Sequence, residues 1–241
     1  MHNLGHTRSA NRRDHLLQTP DTFVRTPLPC IQRGAAIVHV SPANGAGFTQ
    51  YTADLEPGGT LGPTPDQRFI YVLSGEVDLA TDSSFRPLTV TDYAYVPAGL
   101  PHSLTAHHAT RLAIIEKPYK PLSGLAAPSL LTGSEAAIAS NALMNDDDVQ
   151  VRMLLPDQPA FDFAVNTMTY QPGASLSMVE IHEMEHGLLM LEGGGIYRLG
   201  DAWYPVTAGD FIWMAPFCPQ WFGALGKVPA KYLIYKNLPL R

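Results

Sequence analysis

Cysteine is almost absent: Cys30 and Cys218 are the two thiols in 241 residues. Two cannot build a disulfide framework, so stability has to come from a packed core, and free thiols in a reducing compartment are expected. Charge is also sparse. Asp, Glu, Lys and Arg make up 16% of the chain, the net charge is −6, and no basic cluster interrupts that balance, which gives nucleic acid no footing. No long apolar run is present either. The first 13 residues carry Arg8, Arg12 and Arg13 without an apolar centre, so neither a secretory signal nor a membrane span is expected there. A short mobile N-terminal arm and a cytoplasmic location follow as expectations. Long stretches free of helix breakers are lacking too: 21 Pro and 20 Gly are spread along the chain, the punctuation of many short strands and of an all-β fold.

What is there repeats itself. Tyr71-Val72-Leu73-Ser74-Gly75 resembles Leu189-Met190-Leu191-Glu192-Gly193, and Asp92 to His102 resembles Asp210 to Gln220. Gly193 follows Gly75, Asp210 follows Asp92 and Gln220 follows His102 by the same 118 residues. A duplicated antiparallel unit of strands joined by Gly, Asp and Pro turns accounts for this. The expected division is an N-terminal barrel over residues 1–120, a linker over 121–150 with a short helix near Ser134 to Ala139, and a C-terminal barrel over 151–241. Asp146-Asp147-Asp148 reads as a solvated turn, because consecutive carboxylates on a strand cannot face one ion.

The densest chemistry is Glu180-Ile181-His182-Glu183-Met184-Glu185-His186-Gly187. It contains H-E-x-x-H, which on a helix would be a zinc protease site. The flanks oppose a helix: Pro172-Gly173 lies upstream, Gly187 follows His186 at once, and Glu192-Gly193-Gly194-Gly195 is a turn before Ile196 to Leu199. As a strand, the stretch would place Glu180, His182, Met184 and His186 on one face. A carboxylate and two imidazoles converging there, with Gln220 as a distant partner, suit a divalent metal, while Met184 fills space. This oxygen and nitrogen donor set fits Mn²⁺ and leaves Fe²⁺, Ni²⁺ and Zn²⁺ open. Subtracting 118 maps Glu180, His182, His186 and Gln220 onto Gly62, Thr64, Arg68 and His102. One imidazole beside an arginine cannot build a comparable site, so the first barrel is expected to hold no metal. His107-His108 has no usable spacing.

These residues resemble the cupin superfamily, whose motifs pass through Glu180, His182, His186 and Gly193, then through Gly209-Asp210 to Pro219-Gln220. Pro216 sits one place late and Gln220 stands where a His is usual. The set Glu, His, His, Gln, followed by Tyr232 and Lys236, is similar to the (S)-ureidoglycine aminohydrolases, two-barrel enzymes of purine and allantoin breakdown. The resemblance implies tandem cupin (jelly-roll) barrels, Mn²⁺ bound by Glu180, His182, His186 and Gln220, and hydrolysis of (S)-ureidoglycine to (S)-ureidoglycolate and ammonia. It implies Glu180 and Lys236 as catalytic residues, and Glu180, Tyr197, Tyr232 and Lys236 as contacts for a small-molecule substrate. Tyr232 and Lys236 differ by four and so share a strand face; a lysine would pair with a carboxylate and the phenols would hydrogen-bond a ureido group. Because barrels of this kind cover open edges by assembly, a homo-oligomer is expected. Two other readings stay open: a metal-dependent oxygenase or isomerase acting on another small acid, and a two-barrel protein that binds a small ligand without catalysis.

Overall fold

In a computed structural model, residues 6–238 are described. They form an almost entirely β chain with three single-turn 3-10 helices, at Pro20–Thr22, Pro42–Asn44 and Glu135–Ala137. The last lies where a short helix was expected. Among the described residues no helix is long and apolar enough to cross a membrane.

The chain divides into two compact units, each a β barrel. The first barrel comprises Val24–Ile138 with Gln158–Asp162. Its backbone is the 13-residue strand Thr49–Leu61, which pairs with Ile31–Val40, Thr110–Lys117 and His102–Ala106. One strand can serve three neighbours because it turns at Pro57-Gly58, where Gly58 has φ +71°. Gln67–Ser74, Asp92–Val96 and Leu131–Ser134 extend the sheet on one side, and Glu76–Thr81 with Phe85–Thr89 on the other. Alternate side chains such as Ile70, Val72, Leu112 and Ile114 fill the interior.

The second barrel takes Ala139–Asp157, the chain from Phe163 onward, and the N-terminal segment up to Phe23. Its larger sheet runs in the order Ala10–Asn11, His15–Gln18, Phe211–Met214, His186–Glu192, Ala230–Asn237, Phe163–Tyr170, Asp146–Met153 and Asn141–Leu143. A three-stranded sheet of Ala202–Thr207, Gly194–Leu199 and Gln220–Ala224 accompanies it. The core draws on both: Leu188, Met190, Ile212, Met214, Tyr232 and Ile234 from one, Tyr197, Leu199 and Phe222 from the other. Strand alternation then sets the site. His186 shares a face with Leu188 and Met190, and Lys236 with Tyr232 and Ile234, so both point to the interior side of the larger sheet.

The N-terminal segment is not a mobile arm over its described part. His15–Gln18 pairs with Phe211–Met214, and Ala10–Asn11 folds back on it. The alternation His15 buried, Leu16 half-buried, Leu17 buried lays one face of this strand on the core. Arg8 donates to both oxygens of Asp210, which is fully buried and also accepts the Thr207 amide hydrogen at 2.8 Å. Residues 1–5 of the predicted arm lie outside the described residues. Within the predicted linker, Leu131–Ser134 belongs to the first barrel's sheet and Asn141–Leu143 to the second's. Asp146, Asp147 and Asp148 open the strand Asp146–Met153 and are exposed.

Candidate metal and substrate site

Glu180 to His186 is not one strand, as the sequence suggested. Only His186 begins a regular strand; residues 181–185 form an extended segment with a bend at Glu183-Met184, and no helix of a zinc protease exists there. Two contacts pin this segment across the Pro216–Gln220 turn. Glu180 and Gln220 form an antiparallel bridge, N–H to O 2.8 and 2.9 Å in the two directions. The amide of Phe217 donates to the carbonyl of His182 at 2.6 Å. Phe217 adopts φ +64°, a left-handed conformation uncommon for a bulky residue and held by its neighbours at this corner. The expected alternation survives in exposure: Glu180, His182 and Met184 are half-buried, while Ile181 and Glu183 face solvent. The bend then turns Glu185 inward, where it accepts a 2.7 Å hydrogen bond from Trp213 Nε1. Nothing in the sequence separated Glu185 from the exposed Glu183.

The functional groups are arranged as follows. His182 Nε2 lies 3.2 Å from Glu180 Oε2, and the rings of His182 and His186 meet edge to face with centroids 5.5 Å apart. His186 Nδ1 is buried without a hydrogen bond of good geometry. Burial, reinforced by the positive charges of Lys236 and His182, lowers the His186 pKa to about 3, so its imidazole is neutral, the form that binds metals. Lys236 is the ladder partner of His186 and therefore stands beside it on the same face. Burial lowers the Lys236 pKa, and the Glu180 carboxylate opposes that shift. Tyr197 donates to Gln220 Oε1 at 3.4 Å, and the Tyr232 hydroxyl lies 2.8 Å from that of Tyr170. Burial raises the pKa of all three phenols, with Glu180 adding to each shift. Glu180 is thus within electrostatic reach of Tyr170, Tyr197, Tyr232 and Lys236. Tyr170 was not anticipated: it lies before Pro172-Gly173, on a strand without any motif.

Two imidazoles, that of His186 neutral, together with the Glu180 carboxylate and the Gln220 amide oxygen, are a donor set whose chemistry fits a divalent cation. The first barrel has another solution. Its strand Gln67–Ser74 occupies the place of His186–Glu192, with Arg68 paired to Val96 and Glu116 as His186 is paired to Met214 and Lys236. The Arg68 guanidinium, fully buried, fills the centre. It donates from Nε to Glu116 Oε1 and from Nη1 to the Gly62 carbonyl and His102 Nε2, each at 2.7 Å. Tyr51 donates to the same Glu116 oxygen at 2.8 Å. The constant offset of 118 had correctly placed Arg68 and His102, but a two-residue difference in loop length hid the equivalence of Glu116 and Lys236.

Comparison with known proteins agrees with this architecture. The cupin domain matches residues 51–116 and 166–235, one stretch in each barrel. The chain is 44% identical over 238 residues to the (S)-ureidoglycine aminohydrolase of Arabidopsis thaliana, covering 97% of this chain and 79% of that protein. The probable (S)-ureidoglycine aminohydrolase of Oryza sativa subsp. japonica is also 44% identical, over 97% of this chain and 76% of the relative. Among solved structures, the E. coli protein YlbA superimposes with a TM-score of 0.87 at 26% identity, over 99% of this chain and 96% of that one.

Proposed function

The chain belongs to the cupin family and, within it, to the (S)-ureidoglycine aminohydrolases, a family of hydrolases, and from that premise we propose that it hydrolyses (S)-ureidoglycine to (S)-ureidoglycolate and ammonia with Mn²⁺ bound in the second barrel. The observation that supports this reading is that Lys236 is the ladder partner of His186 and lies within electrostatic reach of Glu180.

Glu180, His182, His186 and Gln220 hold the ion in this proposal. A bound Mn²⁺ supplies Lewis-acid polarisation and makes water more acidic. The substrate carbon carries an amine, a carboxylate and a ureido nitrogen. In the net reaction its bond to the amine nitrogen breaks, a bond to a water oxygen forms, and the water proton leaves with the amine. Lys236 Nζ binds the carboxylate, and the buried phenols of Tyr232 and Tyr197 orient the ureido group. Glu180, within electrostatic reach of Lys236 and the phenols, accepts and returns the proton in transit. Holding the carbon between Lys236 and the metal ligands exposes one face to water and fixes the enantiomer. A homo-oligomer in the cytoplasm completes the reading.

The test is a coupled assay in which an allantoate amidohydrolase generates ureidoglycine in the presence of Mn²⁺ and this protein. Ammonia release above the spontaneous rate, with a single ureidoglycolate enantiomer, supports the assignment. Racemic product at the background rate, from protein shown to hold metal, rejects it.

A further inference from the structure

Asp14 and His15 enter the second barrel on the N-terminal segment, and Cys218 lies in the turn that leads to Gln220, more than 200 residues later in the chain. The structure brings the three together: among the described residues they form a group of His, Cys, Asp or Glu side chains whose ligand-type atoms all lie within 4.8 Å of one another. The group is distinct from Glu180, His182 and His186, and no motif marks it, because Asp14-His15 and Cys218 meet only through the pairing of His15 with Met214.

We propose that Asp14, His15 and Cys218 are a second metal site, of zinc type, that fastens the N-terminal strand to the second barrel. The donor set is the first argument. A thiolate, an imidazole and a carboxylate together suit Zn²⁺, whereas the oxygen and nitrogen set proposed above for Mn²⁺ holds no sulfur, so on that reading the chain sorts two ions by ligand softness.

Geometry is the second argument. His15 Nε2 is engaged by the Tyr204 hydroxyl at 2.9 Å, which fixes the ring and turns Nδ1 toward Asp14 Oδ1, also 2.9 Å away. Anchoring the second imidazole nitrogen on a polar partner is the usual support for a metal-binding histidine. The site is also kept clear by a glycine. Gly200 has φ +58°, and a Cβ there would come within 2.9 Å of Asp14 Oδ2 and 3.8 Å of His15 Cε1. Access is the third argument. His15 and Cys218 are each 3% exposed, while the Asp14 side chain is 45% exposed, leaving one open side for entry of the ion and for a water as fourth ligand. Binding releases the thiol proton to solvent and makes no other chemical change.

The consequence is mechanical. Without His15–Gln18, the strand Phe211–Met214 would be the open edge of its sheet. Zinc at this point ties the covering strand to the turn that carries Gln220.

The experiment uses the full-length protein stripped of metal with a chelator and titrated with Co²⁺, followed by the near-ultraviolet thiolate-to-cobalt charge-transfer absorption. The expected result is a band whose final intensity corresponds to one thiolate-bound Co²⁺ per chain, which is bleached by Zn²⁺, and is lost in Cys218→Ser but kept in Cys30→Ser. Asp14→Asn should weaken Zn²⁺ by about tenfold or more. Zn²⁺ should raise the thermal midpoint of the wild type and not of Cys218→Ser. The wild-type spectrum decides even where a variant fails to fold. Co²⁺ binding without a thiolate band, or a band that follows Cys30, overturns the proposal and leaves the cluster a hydrogen-bonded latch.

Discussion

Replacing Arg68 by Met removes a buried guanidinium while keeping most of the side-chain volume. The wild-type group makes three 2.7 Å hydrogen bonds, to Glu116, the Gly62 carbonyl and His102, and its Nη2 also lies 2.6 Å from Glu116. Breaking a buried ion pair from one side costs about 3–5 kcal/mol, because the remaining charge loses its partner without regaining water. Here the Glu116 side chain keeps 16% exposure and the Tyr51 hydroxyl, which softens the loss. The lower end, about 3 kcal/mol, is therefore expected. Arg68→Met/Glu116→Gln should recover part of it, since the double variant strands no charge. The assay exploits an asymmetry of composition: Trp203, Trp213 and Trp221 all belong to the second barrel. Denaturation followed by circular dichroism should shift for Arg68→Met, with tryptophan fluorescence moving less. Metal content of the purified protein should not change. A cost below about 1 kcal/mol would refute the claim that the guanidinium holds the first barrel's centre together.

Lys236→Met should abolish most turnover with ureidoglycine while metal content, measured by elemental analysis, stays at the wild-type level; loss of metal would contradict a substrate-binding role. His39 is buried, bonded to Thr52 through Nε2 at 2.9 Å, and burial lowers its pKa to about 3. Its unfolded form takes up a proton near pH 6.5 and its folded form only near 3, so the stability is complete above 6.5 and falls with pH through that window, by at most about 1.4 kcal/mol per unit. Acid titration of unfolding should therefore show a shallower slope in His39→Gln. Gly193→Ala should destabilise the second barrel by about 1–3 kcal/mol, because φ is +62° and the new Cβ would meet the Pro229 carbonyl oxygen at 2.4 Å; urea denaturation read by tryptophan fluorescence measures this. Glu185→Ala, which leaves the buried Trp213 indole N–H without its acceptor, should destabilise the second barrel by about 1–3 kcal/mol, and Glu185→Gln should recover part of it, as read by urea denaturation.

Much of the fold was legible because breakers recur at strand length and the two halves repeat. Gly193 is a case: its turn was predicted from composition, and the positive φ explains why glycine is needed. The residue types of the candidate site were legible for the same reason, since Glu180, His182 and His186 sit close in sequence. What escaped depends on contacts distant in the chain. The exposed Glu183 and the buried Glu185 are told apart by the bend between them and by Trp213, neither of which a local pattern announces. His15–Gln18 is four residues long, and its partner strand lies nearly 200 residues away, so no local pattern announces the pairing. The match of Lys236 with Glu116 needed the ladder register, because loop lengths differ between the halves.

The strand at His15–Gln18 also sets a timetable for synthesis. The first barrel is complete once the ribosome has passed Asp162, but His15–Gln18 has no partner until Phe211–Met214 emerges, and the sheet is not filled until Ala230–Asn237 follows. At about 5–20 residues per second, the beginning of the chain waits on the order of ten to forty seconds for its partner. Throughout that interval His15–Gln18 has no partner strand of its own, and a neighbouring chain further along in synthesis presents an identical strand 211–214. Polysomes, where such neighbours are crowded, are then the setting in which exchange of this strand between chains competes with closure on its own barrel.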